Sequence, residues 1–369
     1  MKVWVELPEE NDVEAHAAAH ARDAKPDRTP YGLHHLADRG DVELTFRKPL
    51  ADPRLAWLAR KVRNRLDSHE AVAGVLSAYR RERREADVVL CMDERTSIPA
   101  ALVPGSPPVV SNLIWIGRPE SYPRAVREVI GRALHRMAVI FTQGRALNAE
   151  LVDGWGLDPE RVVHVRLGVD PEFFPVQPWP EGEPIVASVG DDPYRDHAIL
   201  IEAVRRLRES GTATTLELGT TIKEVEMPPG VGVLHRRRME GAVRDLYRRS
   251  GAVALAARPT NRATGSTVIL EAAASGRPMV ATRTPSIEDL VSHHGPAGGD
   301  GERGILVPPG DPEAFAGALR EVLTDTDRAR AMGAAARAWL EREHTTARMA
   351  DDMRAALDRG LALGAPKRR

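Results

Sequence analysis

The chain has 369 residues, more than one comfortable core, so two domains are expected; 42% hydrophobic residues with 30 Gly and 28 Pro fit a loop-rich soluble enzyme. Lys and Arg number 52 against 53 Asp and Glu, a formal net charge of −1, which argues against a polyanion-binding surface and so against nucleic acid as a partner. One cysteine, Cys91, excludes an internal disulfide and a cysteine metal cluster. Short apolar runs then recur along the chain, each closed by Gly, Pro or a polar turn. They are Lys2–Val5, Val42–Phe46, Asp87–Cys91, Pro108–Ile114, Ala138–Phe141 and Val162–Val165. After a break come Pro184–Val189, Thr214–Leu218, Gly251–Leu255, Pro278–Ala281 and Gly304–Val307. Continuous rather than alternating runs predict parallel strands covered on both faces, and helical patterns between them predict an α/β protein of two Rossmann-like, doubly wound domains.

The break is Pro171–Pro184, with five prolines, which reads as a stiff extended linker. The expected division is therefore 1–175, 176–345, and a last helical stretch 346–369 packing back on the first domain. Beyond Pro312 three helices are expected, Glu313–Leu323, Asp327–Arg342 and Thr346–Leu361, with a frayed basic tail from Ala365. The start carries no apolar leader and no run reaches the ~18 apolar residues of a membrane span, so a cytoplasmic protein without an integral membrane segment is expected. Ligands of such sheets lie beyond the carboxyl ends of the strands. The candidate loops follow Val5, Cys91 and Leu113 in the first half, and Val189, Leu218 and Leu255 in the second.

The most informative stretch is Ala263-Thr-Gly-Ser-Thr-Val-Ile-Leu-Glu271, running to Gly276 and the strand Pro278–Ala281. It reads as a hydroxyl-rich loop opening a short helix. Unpaired amides and hydroxyls at a helix start suit a phosphate or diphosphate, and Glu271 two turns in suits sugar or ribose hydroxyls. An ordinary capped helix is the plain alternative. Around it, in order, stand Phe141-Thr-Gln-Gly-Arg, Gly154–Phe174 with Arg166-Leu-Gly168-Val-Asp170, Ser188-Val-Gly190-Asp-Asp-Pro-Tyr-Arg195, Ser286-Ile-Glu-Asp-Leu and Arg303–Gly310.

In this order and spacing the segments resemble the retaining, nucleotide-sugar-dependent glycosyltransferases of the GT-B fold, family four among them. The resemblance covers roughly Phe141–Leu323 and is weak before it. It implies two such domains facing across a cleft that closes about the linker to exclude water. It implies transfer of a sugar from a nucleoside diphosphate donor to a small hydroxylated acceptor, without a resident metal or cofactor. Residue by residue it implies Glu271 as the second acid of the family's pair, contacting the donor ribose. Gly190, Gly265, Ser266 and Thr267 would surround the donor's phosphates and sugar, and Met239 would lie beside the base. Arg195 would grip the diphosphate and stabilise charge on the leaving group; its alternative is a surface pair with Asp196.

Two departures stand out. Ala263 occupies the place of the family's first Glu, and Asp191 that of a phosphate-binding Arg, for which Arg258 or Arg262 are candidate replacements. They point to an unusual donor sugar, or to a non-catalytic nucleotide-sugar-binding partner; an epimerase or a pseudo-sugar coupling enzyme on the same fold are further alternatives. In the first domain Arg28-Thr-Pro-Tyr-Gly-Leu-His-His35 replaces the family's glycine-rich loop. Tyr31, Gly32 and His35 are candidate acceptor-binding residues, against half-buried histidines as the alternative. Asp93 is a candidate sugar contact, or a helix N-cap. His16 and His20 have metal-ligand spacing but no acidic third ligand, so no metal is expected. Arg236–Arg238 and Arg80–Arg84 read as solvated charge runs. A homodimer stays open.

Overall fold

The computed structural model describes residues 1–65, 69–291 and 301–364; the tail from Ala365 lies outside them. The chain forms two compact units. The first comprises Met1–Ala19, Asp27–Arg166 and the chain from Met349 onward; the second comprises His20–Pro26 and Leu167–Arg348. Among the described residues no helix is long and apolar enough to cross a membrane.

In the first unit β1 (Lys2–Glu6), β2 (Glu43–Phe46), β3 (Val88–Cys91), β4 (Val109–Asn112), β5 (Val139–Thr142) and β6 (Val162–His164) form one sheet, ordered β2-β1-β3-β4-β5-β6. Every pairing is parallel. In the second, β7 (Ile185–Val189), β8 (Thr215–Gly219), β9 (Gly232–His235), β10 (Ser250–Leu255), β11 (Met279–Thr282) and β12 (Gly304–Val307) are ordered β12-β11-β10-β7-β8-β9, again all parallel. All four residues of β3 and all six of β10 are buried, as the uninterrupted apolar runs require when helices cover both faces.

The sequence reading missed β9. It is an edge strand with exposed Val233 and no continuous apolar run, and its Gly232 lies so close to β8 that a Cβ there would meet the Leu216 carbonyl. The domain boundary also differs from the linker expectation. Val169 pairs with Thr345 and its amide donates to the His344 carbonyl at 2.9 Å, while Phe173 and Phe174 join the core of the second unit with Tyr247 and Leu270. Two large aromatic side chains thus anchor the start of the Pro-rich segment, and the division falls at Arg166/Leu167. The last helix, Thr346–Leu363, belongs to the first unit from Met349 on; there Asp352 chelates Arg166 at 2.7 and 2.8 Å.

The charge run at Arg80–Arg84 needs correction at Arg83, which is buried rather than solvated. It faces Glu6, a carboxylate only 1% exposed that lies 3.0 Å from Arg47 Nε and 3.4 Å from Arg83 Nε. Trp4 Nε1 and Ser77 Oγ also donate to Glu6, at 2.9 and 2.6 Å. Arg47 also pairs with the buried Glu70, so two carboxylates and two guanidiniums share this interior cluster, with Glu6 facing both cations. Glu6→Ala is expected to destabilise the first unit by about 3–5 kcal/mol, because it leaves buried Arg83 without a carboxylate while Arg47 keeps Glu70. A urea unfolding midpoint unchanged within experimental error would show that the pair carries no such load.

Candidate functional site

In the second unit the order of strands reverses between β7 and β10, the place where doubly wound sheets leave a crevice for ligand. The chain leaving β7 crosses to β10 at once. Arg195 bridges Ala257, the Asp196 amide donates to the Ala256 carbonyl at 3.0 Å, and the Arg258 amide donates to the Tyr194 carbonyl at 2.8 Å. Asp196 then caps the helix His197–Glu209 by accepting from the Ile199 amide.

This route folds the Arg195 side chain inward, to 4% exposure. One Nη2–H donates to the Val189 carbonyl, whereas Nε and Nη1 are buried without a hydrogen-bond partner. Arg195 makes no salt bridge among the described residues, so the surface pair with Asp196 does not form. Burial pulls its pKa down to about 10, partly opposed by the charges of Asp192 and Glu271. A desolvated cation with spare donors is costly unless an anion completes it.

Gly190 makes room for that cation. Its φ is +147°, and a Cβ there would lie 2.7 Å from Arg195 Nε. His197 Nε2 lies 3.2 Å from the Gly190 carbonyl, an N–H donor by that pairing; burial and the Arg195 charge hold its pKa down at about 4, so the ring stays neutral.

The expected helix opens at Ser266 and runs to Ala274, with Gly265 as its N-cap at φ +82°. A Cβ on Gly265 would collide with Leu255. No side chain caps the helix; the Ser266 amide donates to the Ala263 carbonyl at 3.2 Å, the amides that follow it keep the orphan donors of any helix start, and the buried Ser266 Oγ lacks a partner. Glu271 accepts from the Tyr247 hydroxyl at 3.0 Å. Burial lifts its pKa to about 7, with Tyr247, Arg195 and Lys25 pulling the other way.

The structure therefore gathers Gly190, Arg195, Gly265, Ser266 and Glu271 about the switch point of one unit. It places the other sequence candidates differently. Thr267 and Arg258 are exposed, and Arg262 lies over the Tyr194 ring at 5.1 Å. Met239 packs on Gly219 at the end of β8, where a Cβ would be 2.7 Å from its Cγ. Asp191, standing where a phosphate-binding Arg was expected, accepts from the Thr221 amide at 2.6 Å and pairs with the exposed Arg238 at 3.3 Å. It ties two loops together and recruits a cation from the Arg236–Arg238 run. Tyr247, His197 and Lys25 escaped the sequence reading. Nothing local marks them, since Tyr247 is 24 residues from Glu271 and Lys25 comes from the short excursion His20–Pro26.

In the first unit the order reverses between β1 and β3. Tyr31 sits beside the loops that follow them, held in the left-handed region at φ +60° with its hydroxyl accepting from Asn11 Nδ2 at 3.2 Å. Burial, then the charge of Asp93, raises its pKa well above the usual phenol value. Gly32 is buried and also left-handed, at φ +62°. Asp93 is the N-cap of the helix Glu94–Leu102, accepting from the Arg95 and Thr96 amides at 3.0 and 3.3 Å and from Arg95 Nε at 2.7 Å. The capping alternative thus describes its contacts. Glu94, not anticipated, is buried with a pKa lifted to about 7 by that burial; it accepts from the Ile114 and Trp115 amides and fixes the loop after β4. Among the described residues His16 and His20 do not belong to the three-residue cluster of metal-type ligands, and His20 Nδ1 lies 3.1 Å from the Lys25 carbonyl. His35 instead stands 3.5 Å from Asp27 and stacks on His34.

Comparison with known proteins agrees with the two-domain α/β fold. A sequence profile of the family described as Glycosyl transferases group 1 matches residues 183–325. The D-inositol 3-phosphate glycosyltransferase of Kineococcus radiotolerans is 28% identical over 247 residues, 57% of this chain and 56% of that protein. The MMP alpha-(1->4)-mannosyltransferase of Mycolicibacterium hassiacum is 25% identical over 225 residues, 59% of this chain and 51% of that protein. The chain thus spans about half the length of the curated relatives it matches. Sucrose-phosphate synthase from Thermosynechococcus elongatus superimposes with a TM-score of 0.70 at 14% identity, covering 98% of this chain and all of that one (100%). Anabaena Alr3699/HepE, solved in complex with UDP-glucose, gives 0.65 at 18% identity, covering 97% and 99%. Residues 183–325 of this chain thus match the profile of the glycosyl transferases group 1, and the chain as a whole has the GT-B fold.

Proposed function

We propose that this protein is a retaining glycosyltransferase that moves a sugar from a nucleoside diphosphate donor to a small hydroxylated acceptor. The observation that carries the reading is Arg195, a buried guanidinium with two unpartnered nitrogens at the switch point of the second unit. A diphosphate would supply the missing acceptors and counter-charge. The amide-rich start of the helix at Ser266 offers further donors, and Glu271 offers an acceptor for ribose hydroxyls. The relatives named as glycosyltransferase and mannosyltransferase support the reaction class, and the neighbour solved with UDP-glucose supports the donor class.

In the transfer the bond from the anomeric carbon to the β-phosphate oxygen breaks as the acceptor oxygen bonds on the same face. The acceptor's proton passes to the departing phosphate. Arg195 stabilises the charge gathering on that phosphate, the largest contribution such a site can make. Ala263 stands in the place of the family's first Glu and Glu271 is engaged by Tyr247, which favours this front-face course. No resident metal is assigned a step.

The same Ala263, with Asp191, favours one second reading, a partner that binds nucleotide sugar without turning it over. A panel of nucleotide sugars, each with and without hydroxylated acceptors, separates the two by release of nucleoside diphosphate. Acceptor-dependent release supports the transferase; tight binding with no release throughout overturns it in favour of the inert partner.

Titration of Glu271 gives a further expected result. Its carboxyl ionises at about 7 in the folded protein, and only the ionised form accepts from two ribose hydroxyls. Donor affinity is expected to rise roughly tenfold between about pH 6 and pH 8. Glu271→Gln should flatten that rise, which separates it from ionisation of the ligand's own phosphate. Stability runs the opposite way. A carboxyl whose folded pKa is raised stabilises fully below its unfolded value near 4.5 and loses that contribution as pH climbs through about 7. A binding profile identical in the Gln variant would remove Glu271 from the donor site.

A further inference from the structure

The first unit holds a second cluster of chemically capable side chains, of which only His35 entered the transferase reading, as a candidate acceptor contact. Asp27, His34 and His35 each offer one ligand atom, and the three atoms lie within 4.8 Å of one another. The Asp27 carboxylate is only 7% exposed, and one of its oxygens lies 3.5 Å from His35 Nε2. The two imidazoles, although adjacent in sequence, stack with centroids 4.1 Å apart and planes inclined by 34°. That stacking converges them on the carboxylate instead of splaying them around the helix His34–Ala37. Ligand atoms about a tetrahedral zinc ion, with bonds of ~2.0–2.1 Å, stand about 3.3 Å apart, so closure needs only a small side-chain adjustment. Thr29 Oγ1 lies 3.4 Å from His34 Nδ1 and accepts from the His34 amide at 2.8 Å, which sets the ring's approach. The neighbouring cation, Arg28, is engaged by Asp38 at 2.5 Å.

We propose that Asp27, His34 and His35 form a binding site for a divalent cation of the zinc type, with two imidazoles, one carboxylate and a remaining position open to solvent or ligand. Imidazole nitrogen with a single carboxylate suits zinc and its borderline neighbours far better than magnesium or calcium, which favour all-oxygen sets. The site brackets Tyr31 and Gly32 in the same loop. Asp27 and Tyr31 both hold left-handed backbone conformations, at φ +58° and +60°, so an ion clamping residues 27 and 34–35 would fix the loop that carries them. The inference is independent of the glycosyl-transfer reading, since its readouts are metal binding and loop stability rather than turnover.

The test is titration of the untagged full-length protein, stripped with a chelator, with cobalt(II) and then zinc(II). Tight uptake of a single equivalent is expected, with the visible d–d absorption of four-coordinate cobalt, bleached by zinc. A thermal midpoint rising with free zinc is also expected. Asp27→Asn and His34→Ala should each weaken binding by more than the ~10–100-fold that loss of an outer partner costs, whereas His16→Gln should leave it unchanged. Absence of stoichiometric cobalt uptake, or equal uptake by the Asp27 and His34 variants, overturns the site. Should those variants fail to fold, side-chain 15N histidine spectra of the unaltered protein decide: zinc must shift two imidazoles that belong to His34 and His35, and shifts confined to other histidines refute it.

Discussion

Replacing Arg195 with Met is expected to lower kcat by about 10²–10³-fold, the usual loss when one preorganised donor to a developing oxyanion is removed. Stability should move in the opposite sense. The native guanidinium is buried, donates only to the Val189 carbonyl, and leaves Nε and Nη1 without partners. An apolar side chain of similar length removes that uncompensated polar group and fills most of its volume. Thermal unfolding of the unliganded variant is therefore expected at the same temperature or higher, and stabilisation by added nucleotide should vanish. This split distinguishes a binding cation from a structural one. A variant that melts earlier while retaining turnover would assign Arg195 to the scaffold.

The second large effect concerns Gly190. A methyl group there would press on the Arg195 guanidinium and would sit on a backbone at φ +147°. Gly190→Ala is expected to cost about 1–3 kcal/mol of stability through strain and overpacking. It should also reduce nucleotide affinity at least about tenfold, since Arg195 must leave its place. The double variant Gly190→Ala with Arg195→Met relieves the clash and keeps only the backbone strain. It is expected to be more stable than Gly190→Ala alone, a coupling that denaturant titration of the four proteins measures. Strict additivity would mean that Gly190 and Arg195 do not share space in solution.

Much of this arrangement was legible in the residues. Parallel strands buried on both faces leave uninterrupted apolar runs, so eleven strand positions could be read directly; β9 could not, because an edge strand with a glycine and an exposed valine carries no such run. Local chemistry also announced the helix start at Gly265 and Ser266, since a glycine followed by hydroxyl residues ahead of an apolar run is a helix-opening pattern. Long-range electrostatics left no local trace. Nothing near Arg83 reveals that Glu6, far away in sequence, draws it into the interior, and nothing near Glu271 names Tyr247 as its donor. The Pro-rich segment misled for a related reason. Proline stiffness describes the chain's local conformation, whereas the division between units was decided by where Phe173 and Phe174 could be buried. Asp93 shows the limit from the other side: an acid after a strand fits both a sugar contact and a helix cap, and the cap became visible only with the positions of the Arg95 and Thr96 amides.

The most direct test of the central claim is a crystal structure of the protein with a nucleoside diphosphate bound. The pyrophosphate is predicted to lie within hydrogen-bonding distance of Arg195 Nε or Nη1 and of the amides opening the helix at Ser266, with Glu271 facing the ribose. Well-defined nucleotide density that leaves Arg195 without an anionic partner would contradict the account.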